Sequence, residues 1–123
     1  MRLPFVVFVA LCIVVLVGAF FLVPEKSTNS GPIHAEVVLT ENGFEPHDVT
    51  IARHGTITFS TTLDKPFWPA SNLHPLHSLY SQFDPFRPIA RNERWTFQFD
   101  RTGNWEFHDH LRSYFLGTIH VVE

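Results

Sequence analysis

Sulfur is almost missing from this 123-residue chain. Its one cysteine, Cys12, lies inside an apolar run, and Met1 is its only methionine. From residue 30 onward no thiol exists, which excludes both a disulfide framework and a thiolate metal ligand there. Positive charge is scarce as well. From Ser30 onward seven Lys or Arg stand against eleven Asp or Glu, 7 − 11 = −4, with no basic stripe, so a nucleic-acid partner is not expected. Beyond the first 24 residues no stretch carries a helical period, which points away from helix bundles and α/β folds.

What the N-terminal end has instead is continuous apolar sequence. Residues 3–23 contain no charge, and at about 1.5 Å per residue such a run spans roughly 30 Å, the thickness of a bilayer's hydrocarbon. Arg2 precedes it, and Glu25 and Lys26 follow. That weak asymmetry favours an N-terminus inside and the rest of the chain outside the cytoplasm. No small-x-small cleavage site is clear, so a single uncleaved transmembrane helix fits better than a removed signal peptide. Either reading places the rest on the extracytoplasmic side. The expected organisation is an anchor or signal-anchor over 1–24, a polar linker over 25–33 and one domain over 34–123.

That domain reads as all-β. Ala35–Thr40, Val49–Arg53, Thr56–Thr62, Arg94–Asp100, Asn104–His108 and Thr118–Val122 are β-branched, aromatic or alternating, as half-buried strands are. Asn42-Gly43, His54-Gly55 and Thr102-Gly103 punctuate them. Six or seven short strands separated by turns describe a β-sandwich. Between Leu63 and Ile89 five prolines break regular structure, and a long irregular segment in a compact domain is usually functional.

Eight histidines are distributed over this domain. His34, His47 and His54 sit beside the linker or turns and read as solvated, and His120 alternates outward in the last strand. His108 and His110 differ. At i and i+2 in a strand they project to one side, with Asp109 on the other. His74 and His77 share the proline-rich loop with Trp68, Leu73, Leu76 and Leu79. A buried imidazole is costly unless hydrogen-bonded or metal-bound, so two histidine pairs in segments that can meet at one end of a sandwich point to a metal site. Without thiolate, the donors are imidazoles, which suit copper, with zinc as the alternative.

Phe44-Glu-Pro-His-Asp-Val-Thr-Ile51, Gly103-Asn-Trp-Glu-Phe107 and Gly117-Thr-Ile-His-Val121 resemble the cupredoxin family over residues 35–123. His74-Pro-Leu-His77 and Phe107-His-Asp-His110 resemble the H-P-x-H-x-H and H-C-H-x-x-x-H stretches of multicopper oxidase domains. The resemblance implies a cupredoxin-like Greek-key β-sandwich, with one ligand group in a loop after the middle strands and the rest in a loop between the last two. It implies copper held by His74, His77, His108 and His110. Two departures matter. Leu79 stands where the first stretch has its third histidine, and Asp109 stands where the second has its cysteine. Phe115 or Leu116 falls in the region of the usual axial methionine. A blue copper site is thereby excluded, since it requires the thiolate. Asp109 is expected to orient the histidines by hydrogen bonding or to lend an oxygen ligand, and Trp68 to lie in the surrounding shell.

The resulting expectation is a membrane-anchored, extracytoplasmic protein that binds copper for holding, delivery or a non-blue redox role. Two others stand beside it. One is a metal-free accessory domain that docks a membrane-protein partner through Pro66-Phe-Trp-Pro69 and Phe83-Asp-Pro-Phe86. The other is a small mononuclear-copper oxidase.

Overall fold

A computed structural model describes residues 30–123, and the anchor expected over 1–24 lies outside the described residues, as does most of the linker. Among the described residues no helix is long and apolar enough to cross a membrane. The described residues form eight strands: β1 (His34–Thr40), β2 (Gly43–Glu45), β3 (Asp48–Ala52), β4 (Thr56–Thr61), β5 (Pro69–Ser71), β6 (Trp95–Gln98), β7 (Gly103–Asp109) and β8 (Arg112–Val122). They make two four-stranded sheets, ordered β2-β1-β4-β6 and β3-β8-β7-β5. β1 runs parallel to β4, and β3 runs parallel to β8. The other pairings are antiparallel.

Alternation decides which side chains meet between the sheets. Val37 and Leu39 of β1, Ile57 and Phe59 of β4, Ile51 of β3, and Ile119 and Val121 of β8 all turn inward and are buried. Phe107 of β7 lies against Phe44 and Phe59, with ring centroids 4.7 and 5.6 Å apart. Gly117 faces Phe107 across the β7–β8 ladder. A Cβ there would lie 2.6 Å from that ring and 2.9 Å from the His47 carbonyl, so only glycine admits this close approach. At the N-terminal side the Ala52 N–H donates to the Pro32 carbonyl at 2.9 Å, fastening the start of the domain beside the end of β3.

The proline-rich segment contributes more to this interior than its sequence announces. Phe67 and Phe83 are both fully buried. Phe83 reaches into a nest of Phe59, Trp95, Phe97, Phe99 and Phe107, with centroid separations of 4.9 to 5.9 Å. The docking surface expected from Pro66–Pro69 and Phe83–Phe86 is thus not a continuous exposed face, because two of its aromatics are core. Phe86 remains exposed. The same segment holds a strand that the prolines concealed. β5 is a three-residue edge strand on β7 with Pro69 at its first position, where a missing N–H costs least.

The expected loop between the last two strands is also shortened. β8 begins at Arg112, well before the expected Thr118, so only His110 and Leu111 separate it from β7. Arg112-Ser-Tyr-Phe-Leu continues the ladder, with Leu116 opposite His108 and Gly117 opposite Phe107.

Truncating the aromatic plug tests how much the irregular segment stabilises the sandwich. Phe83→Ala should lower unfolding free energy by about 3–5 kcal/mol in urea titrations, in the range for a buried phenylalanine. A loss within measurement error would mean that the loop does not anchor the core.

Candidate metal centre

The last turn of β7 and the loop after β5 meet at one end of the sandwich. His108 pairs with Ala70 of β5 and Leu116 of β8. A register shift between His108 and Asp109 bends the strand there, and His110 follows with its N–H donating to the Trp68 carbonyl at 2.8 Å. Asn72–Leu79 then forms a closed excursion. The Leu79 N–H donates to the Asn72 carbonyl (2.7 Å), and the His77 N–H donates to the Leu73 carbonyl (2.6 Å). His77 takes a left-handed backbone with φ of 51°, a region histidine enters more readily than most residues but at some strain.

This brings His74, His77, His108 and His110 together, with one ligand-capable atom of each lying within 4.8 Å of the others. Each loop imidazole stands between the two strand imidazoles. The His74 ring is 5.1 Å from His108 and 4.8 Å from His110, and the His77 ring is 5.1 and 4.8 Å from the same two.

Hydrogen bonds fix the tautomers of the two most buried rings. His77 Nδ1–H donates to Asp84 Oδ2 at 2.5 Å. A carboxylate only accepts, so the lone pair of His77 is at Nε2. His108 Nδ1–H donates to Asn72 Oδ1 at 2.9 Å, and Asn72 is itself held by Glu106. The His108 lone pair is likewise at Nε2. Those two nitrogens face inward, His77 Nε2 at 2.9 Å from His110 Nδ1 and His108 Nε2 at 3.1 Å from His74 Nδ1. In these two hydrogen bonds His110 and His74 each supply the intervening proton. Among the described residues no buried side-chain polar atom is left without a partner.

Asp84 binds this arrangement to the rest of the loop. Besides His77 it accepts from the Trp68 indole (2.8 Å) and the Phe86 N–H (2.7 Å). Burial pushes its carboxyl up, but donation from His77, Phe86 and Trp68 outweighs this and holds it below the usual 3.8. Burial also lowers His108 from 6.5 to about 4, and the neighbouring imidazoles of His77, His74 and His110 add to the effect. His110 shifts the same way, chiefly through burial. Neutral imidazoles are the ligating form.

Asp109 lies on the side away from the strand histidines, as alternation implies, but it does not take the orienting role expected of it. Its fully buried carboxylate accepts from the Trp68 N–H (2.7 Å) and from Arg112 Nε (2.6 Å) rather than from any of the four imidazoles. It positions the Trp68 backbone, whose carbonyl in turn receives the His110 N–H. The orienting role falls to Asp84 and Asn72, which no spacing rule singled out. Trp68 packs beside the cluster, 4.6 Å from the His110 ring and 6.4 Å from His77, with its indole N–H on Asp84. The remaining histidines stand apart on the surface, with His34 bonded to Thr56, His47 to Asp48, His54 to Asp100 and His120 to Asn104.

The donor set passes a simple fit test. Metal–imidazole bonds of about 2.0–2.1 Å put ligand nitrogens no more than about 4.2 Å apart, so ligand atoms already within 4.8 Å need close only by a few tenths of an ångström. His74 and His110 present a lone pair at Nδ1 simply by carrying their proton on Nε2, with no change of charge.

No family model and no curated protein matches the sequence. The fold does match solved structures. A novel purple cupredoxin from Nitrosopumilus maritimus superposes with a TM-score of 0.61 at 14% identity, over 72% of this chain and 99% of that one. Oxidised plastocyanin from Dryopteris crassirhizoma gives 0.59 at 15% identity, over 72% and all of that chain. The copper-containing nitrite reductase of Thermus scotoductus gives 0.56 at 19% identity, over 72% of this chain but only 22% of that one. The described domain therefore has the cupredoxin fold, without the cysteine of a blue site.

The low value at His108 has a consequence for the metal-free protein. Between pH 6.5 and about 4 the unfolded chain binds a proton that the folded chain refuses, so stability should fall as pH drops through that window. The slope reaches up to about 1.4 kcal/mol per pH unit. Urea unfolding of chelator-treated protein between pH 7 and 4 measures it, and His108→Gln should flatten it; an equal slope in the variant would place the effect elsewhere.

Proposed function

We propose that the protein is a copper-binding cupredoxin-like domain that holds one ion through His74, His77, His108 and His110. The observation that carries this reading is the pair of inward-facing Nε2 lone pairs on buried rings, each fixed from behind by Asp84 or Asn72. A ligating histidine is ordinarily oriented by such a partner on its other nitrogen. Four imidazoles favour copper over zinc in intrinsic affinity. Bound there, copper supplies a Lewis-acidic centre able to pass between its two common oxidation states. The chain's own residues favour the neutral form of His108 and His110 by burial, shield His77 and His108 from water and set Asp84 behind His77 as a compensating negative charge.

In this reading the apolar run over residues 3–23 anchors the domain on the extracytoplasmic face of a membrane, and the role is copper holding or delivery. A second reading rests on a specific observation. Each cluster imidazole already has a hydrogen-bond partner, so a metal-free domain that serves a membrane complex needs no ion to satisfy them.

Metal loading separates the two. Chelator-treated protein offered excess Cu(II) and then desalted should retain one copper per chain, with nitrogen hyperfine structure in electron paramagnetic resonance and no intense blue thiolate band. Joint replacement of His77 and His108 by alanine should abolish retention while the β-sheet circular dichroism persists. Copper-free wild-type protein, or undiminished retention by the folded double variant, would overturn the copper reading. On the same assay Asp84→Asn should weaken binding by about 10–100-fold, the usual loss when the partner of a ligating histidine is removed.

A further inference from the structure

Resting on the copper reading, we infer that His74 is the exchange ligand of the cluster, the imidazole that lets go first and through whose position the ion passes to an acceptor. The four histidines are not equivalent. His108 and His77 are 1% and 5% exposed, and each is held by a second hydrogen bond on its outer nitrogen. His110 is half-buried, packed at a tilt against Trp68, with its backbone N–H tied to the Trp68 carbonyl. His74 is the exposed member of the four. Among the described residues its ring makes one hydrogen bond, and that one points inward to His108.

Its position in the chain fits the same role. The hydrogen bonds that close the Asn72–Leu79 excursion lie at its base and at His77. His74 sits near its tip between Leu73 and Leu76, which are 60% and 79% exposed. A ring held on one side only rotates out at the cost of one inward contact, whereas withdrawing His77 or His108 would strand Asp84 or Asn72. Once His74 turns away, the remaining three imidazoles still hold the ion, and the vacated position opens to the outside. An acceptor presenting a competing imidazole, thiolate or amino-carboxylate donor can occupy it before the remaining bonds break. No bond other than metal–ligand bonds changes, and no electrons move.

Stopped-flow transfer of copper from the loaded full chain to EDTA, alongside retention measurements, tests the assignment. For the wild type, the transfer rate should rise in proportion to EDTA concentration. His74→Ala and His74→Asn should each keep one copper per chain, lose one nitrogen from the hyperfine pattern, and release copper at least about ten-fold faster, since affinity differences among variants of one site reside mainly in the off-rate. His108→Ala should fail to retain copper. Two results would overturn the inference: both His74 variants losing copper as completely as His108→Ala, or both keeping the wild-type spectrum and release rate. A wild-type chain that takes up no copper would instead remove the reading beneath it. Circular dichroism confirms that the variants are folded.

Discussion

One buried carboxylate joins the two halves of this molecule. Asp84 follows Phe83 directly, and the two side chains go opposite ways, the phenyl ring down into the aromatic core and the carboxylate up against His77, Trp68 and the Phe86 N–H. Burying an anion is costly unless donors replace its water, and here three donors from three points of an irregular segment converge on it. The segment between Leu63 and Ile89 has little regular structure to define it. Its course is set by a hydrophobic plug and a polar clamp on adjacent residues.

Strand positions were legible because they obey a period. Val37 and Leu39, Ile57 and Phe59, and Trp105 and Phe107 announce themselves by alternation, and the sandwich follows from them. The four clustered histidines could be picked out because they occur as close pairs. What spacing does not encode is long-range closure. Asn72 and Asp84 look like ordinary loop residues until the chain folds back and sets them behind His108 and His77. Asp109 shows the limit of alternation. The strand period puts it on the side away from the two histidines, but only the fold supplies its partners there, Arg112 and Trp68. The early start of β8 was hidden for a related reason, since Arg112 is held by Asp109 and Pro66 rather than by any repeat.

The acid at position 109 finds its charge compensation within the protein. The carboxylate draws its compensation from a guanidinium, at a side chain fully shielded from water. The short connection that follows, His110-Leu111, leaves little chain for additional ligands. The other two imidazoles of the cluster come from the opposite side, from the excursion after β5.

The fastening of Pro32 to Ala52 fixes a direction as well as a start. β8 has Val122 beside Ala52 and Arg112 beside Asp109, and its eleven residues run the length of the sheet. At about 3.3 Å per residue that is some 35 Å. The described chain therefore enters the domain at the pole opposite the histidines. Pro32 and the exposed His74 stand at the two ends of one long strand, so a change at the entry point reaches the cluster only through the length of β8.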